Sequence, residues 1–320
     1  MTNRMSLLIF LLFSLIGRIP LYGQKILLAN TNVKDALIAA DGRLWAACAA
    51  SGVAVREGKT WRTYSPLNSK LANSHPLRLL EFDDAVWTSL YSSGLWVLKE
   101  SDWQGPLPKG IETPVHTADC VNWRGNLWLT LGERLGSLDS SRSFEGVHPP
   151  LPPGRGAMAT CMTTTDLTLL VGTNIHQILQ FDGRSWAIHD FKGRLRGKHI
   201  RSIATVGDDI WFGTFGGLYV YRAPELRSIE PRGLSPFLVT SIIATNGQLW
   251  VGTWGKGVFR QKDGKWVRGV KGNSTRGLFV NCLRHRGDLV YACTTRGIHV
   301  LAGSIAPLSP APASASSASP

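Results

Sequence analysis

The sequence lacks the short motifs that mark common catalytic chemistry. It contains no GxSxG nucleophile elbow, no HExxH zinc motif and no phosphate-binding loop. Its five cysteines form no CxxC pair and no metal-type spacing. Beyond the N-terminus there is no apolar run long enough to span a bilayer and no long stretch of helical periodicity. We therefore predict no cofactor and no catalytic residues, and we expect a fold built from strands.

Acidic residues are also scarce. The 320 residues include 22 Asp and Glu against 35 Lys and Arg, which gives a formal net charge of +13. Glycine and tryptophan are abundant instead, with 34 and 12 copies, and this composition indicates many turns joining short strands. A chain of this length can bury a substantial core.

The N-terminus has the pattern of a secretory signal. Arg4 precedes the apolar run MSLLIFLLFSLIG, and Gly23 follows at a position suited to cleavage. We predict a signal peptide over residues 1–23 and a secreted or periplasmic location. The alternative is an uncleaved membrane anchor, because Leu21 suits the −3 position of a cleavage site poorly. At the other end, residues 305–320 are rich in Pro, Ala and Ser, and we expect a disordered tail.

One pattern recurs seven times, about every 40 residues. Aligned on the Trp of "LW", the units are anchored at Trp45, Trp87, Trp128, Leu170, Trp211, Trp250 and Val290. Small or apolar residues stand eight positions earlier, at Leu37, Leu79, Cys120, Met162, Ile203, Ile242 and Cys282. A third series follows the anchors, at Trp61, Trp103, Phe144, Trp186, Leu226 and Trp266.

Each unit is typical of four short strands. In the sixth unit the strands are VTSIIA, QLWVGT, GVFRQ and KWVRG, separated by turns with Asn-Gly or Asp-Gly. The seventh unit has no fourth strand, and we predict that Gln24–Asn30 supplies it. The fold class predicted for residues 24–304 is all-β: a seven-bladed β-propeller of four-stranded antiparallel blades, closed by the N-terminal strand in blade 7.

The motifs GDDIWFGTFGGLYVY and NGQLWVGTWGKGVF resemble the GxLWxGTxxGLxxY repeat of the two-component regulator propellers. Members of that family are periplasmic sensing domains of bacterial hybrid signalling receptors. The resemblance extends over about residues 33–301 and is close in blades 5 and 6. It implies a sensing domain, and it implies that the repeated Trp packs between blades while the Gly permits a hairpin. Receptors of the family continue into an Ig-like module, a membrane helix and a kinase, which this sequence does not contain.

The cysteines are expected to be buried thiols that act as small apolar residues. Cys120 and Cys282 fall where other units carry Leu, Met or Ile, and Cys48 and Cys293 share a second repeat position. Equivalent positions on neighbouring blades lie about 10 Å apart, which is too far for a disulfide.

Basic residues are concentrated on one face of the predicted ring. The loops between blades and the turns between second and third strands should share this face, which we call the upper face. They carry 14 basic and 4 acidic residues, whereas the turns on the opposite, lower face roughly balance. A one-sided field of this kind steers anionic partners. The alternative is that these Lys and Arg side chains only keep the loops soluble.

Aromatic residues interleave with these cations, as in sites for acidic carbohydrate or an acidic peptide, although loop aromatics can equally pack as structure. We predict a monomeric, non-enzymatic binding or sensing module for an acidic oligosaccharide or an acidic protein surface. Nucleic acid and, after signal cleavage, a membrane span are not expected. The predicted ligand-binding residues are Tyr91, Arg134, Lys192, Arg194, Arg196, Lys198, Phe215, Trp254, Lys256, Arg268, Arg296, His75, His116 and His199.

Two alternatives remain at the channel mouth. The residues that begin the innermost strands are Val33, His75, His116, Met158, His199, Leu238 and Leu278. Their imidazoles and thioether could hold copper or another borderline metal, or the histidines could pair with an anion. The second alternative is a carbohydrate-active or lactone-type hydrolase or lyase. Two or more carboxylates converging on the channel would favour the enzyme, and a basic bowl without carboxylates would favour binding.

Overall fold

The computed structural model describes residues 25–107, 117–131, 134–139, 141, 143–147, 149, 151, 156–195, 197, 199–230, 237–245, 248–262, 265–268 and 277–301. These residues form seven four-stranded antiparallel sheets arranged as a seven-bladed β-propeller, which confirms the predicted fold class. No helix that could cross a membrane is found within those ranges. The predicted signal and tail lie outside them.

The strands follow the chain blade by blade. Blade 1 contains β2 (Val33–Ile38), β3 (Leu44–Cys48), β4 (Gly52–Glu57) and β5 (Thr60–Tyr64). Blade 2 contains β6 (Pro76–Phe82), β7 (Ala85–Leu90), β8 (Leu95–Lys99) and β9 (Asp102–Leu107). Blade 3 contains β10 (Cys120–Trp123), β11 (Asn126–Leu131), β12 (Arg134–Leu138) and β13 (Phe144–Val147). Blade 4 contains β14 (Ala159–Thr164), β15 (Leu169–Thr173), β16 (Gln177–Phe181) and β17 (Trp186–Asp190).

The remaining blades have the same order. Blade 5 contains β18 (Ile200–Val206), β19 (Asp209–Thr214), β20 (Gly217–Arg222) and β21 (Glu225–Ile229). Blade 6 contains β22 (Val239–Thr245), β23 (Gln248–Thr253), β24 (Gly257–Lys262) and β25 (Lys265–Arg268). Blade 7 contains β26 (Val280–Arg286), β27 (Leu289–Thr294), β28 (Gly297–Val300) and, from the N-terminus, β1 (Ile26–Leu27). The first strand of each blade contacts the first strands of its neighbours, so these seven strands line the central channel.

The ring closes in blade 7, as predicted. Strand β1 pairs antiparallel with β28, with Ile26 opposite His299 and Leu27 opposite Ile298. The closing strand is shorter than the predicted Gln24–Asn30. It ends because Leu28 and Asn30 adopt positive φ angles of 51° and 64°, which extended strands do not.

Three assignments in the anchor series and the small-residue series were wrong by one residue. Because Thr253 lies opposite Val239 and Thr294 lies opposite Val280, the residue equivalent to Trp250 is Tyr291 rather than Val290. The same pairings replace Cys282 by Leu283 and Leu37 by Ala36 in the small-residue series. Cys48 is therefore equivalent to Thr294, not to Cys293. The aromatic series on the outer strands keeps one position from blade 1 to blade 6, where Trp61 and Trp266 face Arg56 and Gln261.

The residues of the repeated motif hold neighbouring blades together. Trp45 is fully buried and packs edge-to-face on Trp103 of blade 2, with ring centroids 6.4 Å apart. Gly213 permits close approach of blades, because a Cβ there would lie 2.2 Å from Val239 Cγ1 of blade 6. Thr253 is buried and donates its hydroxyl to the Gly257 carbonyl oxygen at 2.6 Å, which fixes the following turn. The Gly before the Thr of the motif is thus required for packing between blades, and only the Gly that begins the third strand, as at Gly217 and Gly257, for the hairpin.

All five cysteines are buried and free. Burial raises the pKa of the Cys48 thiol to about 12, and it also raises the pKa of Cys120, Cys161, Cys282 and Cys293. Their thiols are therefore protonated at neutral pH and poorly nucleophilic, which agrees with the expected packing role.

Candidate functional site at the channel mouth

One end of the channel is defined by backbone hydrogen bonds that repeat from blade to blade. In each of these blades, the residue after the second strand donates its N–H to the carbonyl oxygen of the residue before the first strand. Five such pairs, with N–O distances of 2.8, 2.9, 3.1, 3.0 and 3.2 Å, are Ala49–Asn32, Tyr91–His75, Asn174–Met158, Trp254–Leu238 and Thr295–Phe279. The mouth row therefore includes Asn32 and Phe279, where the sequence pattern had placed Val33 and Leu278.

Large apolar side chains stand exposed around this mouth. The exposed fractions are 54% for Tyr91, 45% for Phe215, 49% for Trp254, 39% for Phe279 and 39% for Met158. Trp254 and Phe279 form an edge-to-face pair with centroids 4.9 Å apart, joined by a backbone bridge between blades 6 and 7. Exposed aromatic surface that surrounds a concave opening is typical of a ligand site. The three aromatics predicted as ligand-binding residues are thus all at one mouth.

Among the described residues, the histidines at the mouth form no recognisable metal centre. His75 is exposed, His199 lies 5.2 Å from Phe215 between ring centroids, and His116 lies outside the described residues. Within the described ranges, no group of three or more His, Cys, Asp or Glu side chains could hold a metal ion. The copper hypothesis therefore gains no support from the part of the chain that the structure describes.

The predicted cations fall into two groups. Arg134, Lys192, Arg194 and Arg296 are exposed, whereas Lys256 is half-buried. Arg268 is exposed but donates from Nη1 to the Lys256 carbonyl oxygen at 3.1 Å and lies 5.0 Å from the centre of the Phe259 ring. Arg196 and Lys198 lie outside the described residues. Lys70, one of the 14 basic residues of the predicted upper face, instead approaches Asp102, the first residue of strand β9 in blade 2, at 4.0 Å.

Sequence reasoning missed a set of charged residues on the innermost strands. Asp35 is fully buried, and its oxygens accept from Arg284 Nε at 2.7 Å and Arg284 Nη2 at 2.6 Å. Burial alone would raise the pKa of Asp35, but the Arg284 guanidinium holds it below its usual value. Arg78 of blade 2 forms a second pair with Asp119 of blade 3, with Nε 3.3 Å from Oδ1.

Both carboxylates also connect blades through backbone amides. Asp35 Oδ2 accepts from the Leu79 N–H of blade 2 at 3.0 Å, and Asp119 Oδ2 accepts from the Met162 N–H of blade 4 at 2.8 Å. Ser202 and Ser241 make the equivalent bonds, to Ile242 at 2.7 Å and Leu283 at 3.0 Å.

Two carboxylates converging on the channel would favour an enzyme, and this expectation is met in number only. Two carboxylates reach the channel wall, but their oxygens already accept hydrogen bonds from Arg side chains and backbone amides. Asp35, a buried carboxylate with a lowered pKa, is poorly suited to act as a general acid at neutral pH. The signal in the sequence that could have revealed these charged residues was their position within predicted innermost strands, as in VKDALI and NCLRHR.

A third guanidinium lies nearer the mouth. Arg201 of blade 5 is exposed, and its Cζ lies 5.5 Å from the centre of the Phe215 ring, within cation–π range. The residue as a whole is exposed, but partial desolvation of its guanidinium lowers the pKa of Arg201; the charge of Arg78 acts in the same direction, and Cys161 and Asp119 act against it. The mouth thus combines exposed rings with a cation that the charge count on loops did not include.

Comparisons with known proteins identify neighbours in structure only. No protein-family model and no curated protein matches the sequence. Virginiamycin B lyase from Staphylococcus aureus matches with a TM-score of 0.71 and 12% identity, over 88% of this chain and 99% of the lyase chain. The extracellular domain of the hybrid two-component system BT4673 from B. thetaiotaomicron matches with a TM-score of 0.70 and 15% identity, over 87% of this chain.

A related extracellular domain, from the two-component system BT3049 of the same organism, gives a TM-score of 0.70 at 13% identity over 86% of this chain. The match covers 39% of each of these two sensor chains. At these identities the likeness shows the fold alone. It supports the resemblance to the two-component regulator propellers at the level of a shared seven-bladed ring.

Proposed function

We propose that the protein is an exported, non-enzymatic binding or sensing module whose upper channel mouth receives an acidic oligosaccharide. The observation that carries this proposal is the ring of exposed side chains at the mouth, with Tyr91, Phe215 and Trp254 on three different blades. Flat apolar rings offer stacking surface to a sugar, and the neighbouring cations attract its acid groups. Binding by surface complementarity needs no free carboxylate, and the two in the channel are already hydrogen-bonded.

The extracellular neighbours add support for sensing. BT4673 and BT3049 are two-component systems, and their extracellular domains share this fold. A propeller that binds a ligand outside the cytoplasm fits the predicted signal peptide. An acidic protein would meet the same charges, so the experiment below includes one.

The test is a charge reversal on the upper face. A variant with Lys192→Glu, Arg194→Glu and Arg296→Glu is compared with the wild type on an array of acidic and neutral glycans, at low and high salt. We expect affinity for acidic glycans to fall at least about tenfold in the variant, and wild-type binding to weaken as salt rises. An acidic polypeptide on the same array reveals whether a protein is the preferred partner.

A matched control reverses three cations of the lower face, Lys59→Glu, Lys99→Glu and Arg184→Glu, which are all exposed. It changes the net charge equally and should leave binding within about twofold of the wild type, because the charges lie far from the mouth. A wild type without any salt-sensitive preference for anionic ligands would rule out the proposal.

A lyase is the second candidate. Virginiamycin B lyase shares the fold over nearly its whole length, and a structure of its catalytically inactive variant was determined with quinupristin. His75 stands exposed at the mouth, where an imidazole could exchange a proton with a ligand. Incubation with quinupristin, followed by mass spectrometry, decides between the candidates. We expect intact quinupristin; a cleaved product that disappears in His75→Ala would favour the lyase.

A further inference from the structure

Arg201 occupies a β-bulge at the start of the innermost strand of blade 5. The register between β18 and β19 passes directly from Ile200–Thr214 to Ser202–Gly213, so Arg201 has no partner in the ladder. Both flanking residues are buried, while Arg201 is exposed. Bulges re-aim side chains and are common beside functional sites. The same bulge recurs at the start of blades 1, 2, 4, 6 and 7. In blade 5 it presents a guanidinium at the channel mouth.

In blades 4 and 7 the residue at the corresponding position is used differently. Thr160 of blade 4 donates its hydroxyl to the Ile200 carbonyl oxygen, and Asn281 of blade 7 donates to the Val33 carbonyl oxygen at 2.6 Å. Both therefore connect one blade to the next. Among the described residues, Arg201 forms no ion pair with a carboxylate.

The charges of the channel compensate Arg201 only in part. Arg284 and Arg78 are each paired with a carboxylate, so three guanidinium groups share two carboxylates. Partial desolvation of the guanidinium lowers the pKa of Arg201 and the charge of Arg78 acts in the same direction, against the opposing effects of Cys161 and Asp119, so the cation is less favoured here than in water. An anion bound beside it would relieve that cost. The free protein thus holds a partly desolvated cation next to an exposed ring.

We propose that Arg201 binds the carboxylate of an acidic sugar residue, with the sugar ring packed on the exposed part of Phe215. The planar guanidinium matches a carboxylate in two parallel hydrogen bonds. Phe215 lies within 5.5 Å of the guanidinium and contacts the His199 ring, so it is held in place from two sides. This inference rests on the proposed function, and it names the group that the mouth recognises.

The test uses tri-galacturonate and its fully methyl-esterified form, which have the same rings and differ in charge. Binding of each is measured by titration calorimetry to the wild type, Arg201→Gln and Arg201→Lys. We expect the wild type to prefer the acid at least about tenfold. Arg201→Gln should weaken binding of the acid about 10- to 100-fold and leave binding of the ester unchanged. The affinity of Arg201→Lys for the acid should lie between those of the wild type and Arg201→Gln, because lysine keeps the charge but lacks the planar guanidinium.

Two further variants separate this role from folding and from general charge. Phe215→Leu should weaken binding of acid and ester alike, because it removes the ring contact. Arg222→Gln removes a guanidinium of the same blade that is bound to Asp209 at 2.8 Å, and it should bind both probes as the wild type does. The melting temperature of each variant confirms that it is folded.

The outcomes distinguish this inference from the proposed function. If Arg201→Gln binds the acid as well as the wild type, while the triple reversal of the upper face loses it, the subsite is wrong and the function stands. If Arg201→Gln weakens acid and ester equally, recognition of the carboxylate by Arg201 is also overturned. If the wild type binds no anionic ligand, both proposals fail. If Arg201→Gln loses binding of the acid but keeps binding of the ester, the subsite is supported.

Discussion

Asp35 connects three blades through one side chain. It lies in blade 1, accepts two hydrogen bonds from Arg284 of blade 7, and accepts one from the Leu79 N–H of blade 2. The thiol of Cys282 also contacts it, with Sγ 3.2 Å from Oδ1. A carboxylate that is fully buried is tolerated here because each of its oxygens is hydrogen-bonded.

Removing this charge should destabilise the ring. We expect Asp35→Asn to lower the free energy of unfolding by about 3 kcal/mol, because it leaves Arg284 without its counter-ion. The double variant Asp35→Leu with Arg284→Met should cost less than the single one, since no uncompensated charge remains. Urea unfolding followed by tryptophan fluorescence measures both. A double variant less stable than Asp35→Asn would contradict this explanation.

Gly213 offers a second test at the scale of one residue. A Cβ at this position would lie 2.2 Å from Val239 Cγ1, so Gly213→Ala should lower the free energy of unfolding by roughly 1–3 kcal/mol through overpacking. Combining Gly213→Ala with Val239→Ala should restore part of this loss, so the double variant should cost less than the sum of the two single variants. The control is Gly146→Ala on an outer strand, where the nearest atom would lie at 3.7 Å and little change is expected.

At the scale of one element, the strands that close blade 7 depend on a neutral histidine. His299 of β28 lies opposite Ile26 of β1, is buried, and neither ring nitrogen has a hydrogen-bond partner among the described residues. Burial lowers the pKa of His299 from its ordinary value of 6.5, because the imidazolium would be poorly solvated.

This shift predicts how stability varies with pH. The folded state binds fewer protons than the unfolded chain, so the contribution of His299 is complete above 6.5 and is lost as the pH falls through the folded pKa. His189 and His285, whose pKa values burial also lowers, act in the same direction. His299→Leu should therefore show a smaller loss of unfolding free energy between neutral pH and about pH 5 than the wild type. Equal losses would show that His299 does not contribute.

The closing strand itself can be tested by deletion. A chain that begins at Thr31 lacks β1 and exposes the edge of β28. We expect a lower melting temperature and association between molecules through the open edge, measured by calorimetry and light scattering. A chain that begins at Lys25 keeps the strand and is the control. Identical melting of the two chains would show that the two-residue strand contributes nothing.

For the whole molecule, the repeat made the architecture predictable because all seven units use the same hairpins. The sixth-unit strands predicted from VTSIIA to KWVRG match β22 to β25 within one residue at each end. The predicted alignment of blade 7 was wrong by one position because Tyr291 replaces the anchoring Trp. Alternation alone does not distinguish neighbouring residues of a buried strand. The prediction of the fold was therefore correct even though the repeat positions of individual residues were assigned wrongly.

The site was predicted only in part, for a different reason. Tyr91, Phe215 and Trp254 follow the second strand in their units, so the repeat placed them at the mouth correctly. Arg201 was missed because it stands inside a strand, and its exposure results from a bulge that periodicity does not reveal. The pair of Asp35 and Arg284 joins residues from opposite ends of the sequence, and no local pattern encodes such a contact.

The closure of blade 7 by β1 has a consequence for synthesis on the ribosome. Ile26 and Leu27 emerge early, but their partners Ile298 and His299 are made about 270 residues later. At a synthesis rate of about 5–20 residues per second, the two residues of β1 have no strand to pair with for roughly 15–50 s. The first six blades can stack in order during that interval, whereas the final blade can form only after β28 has been made.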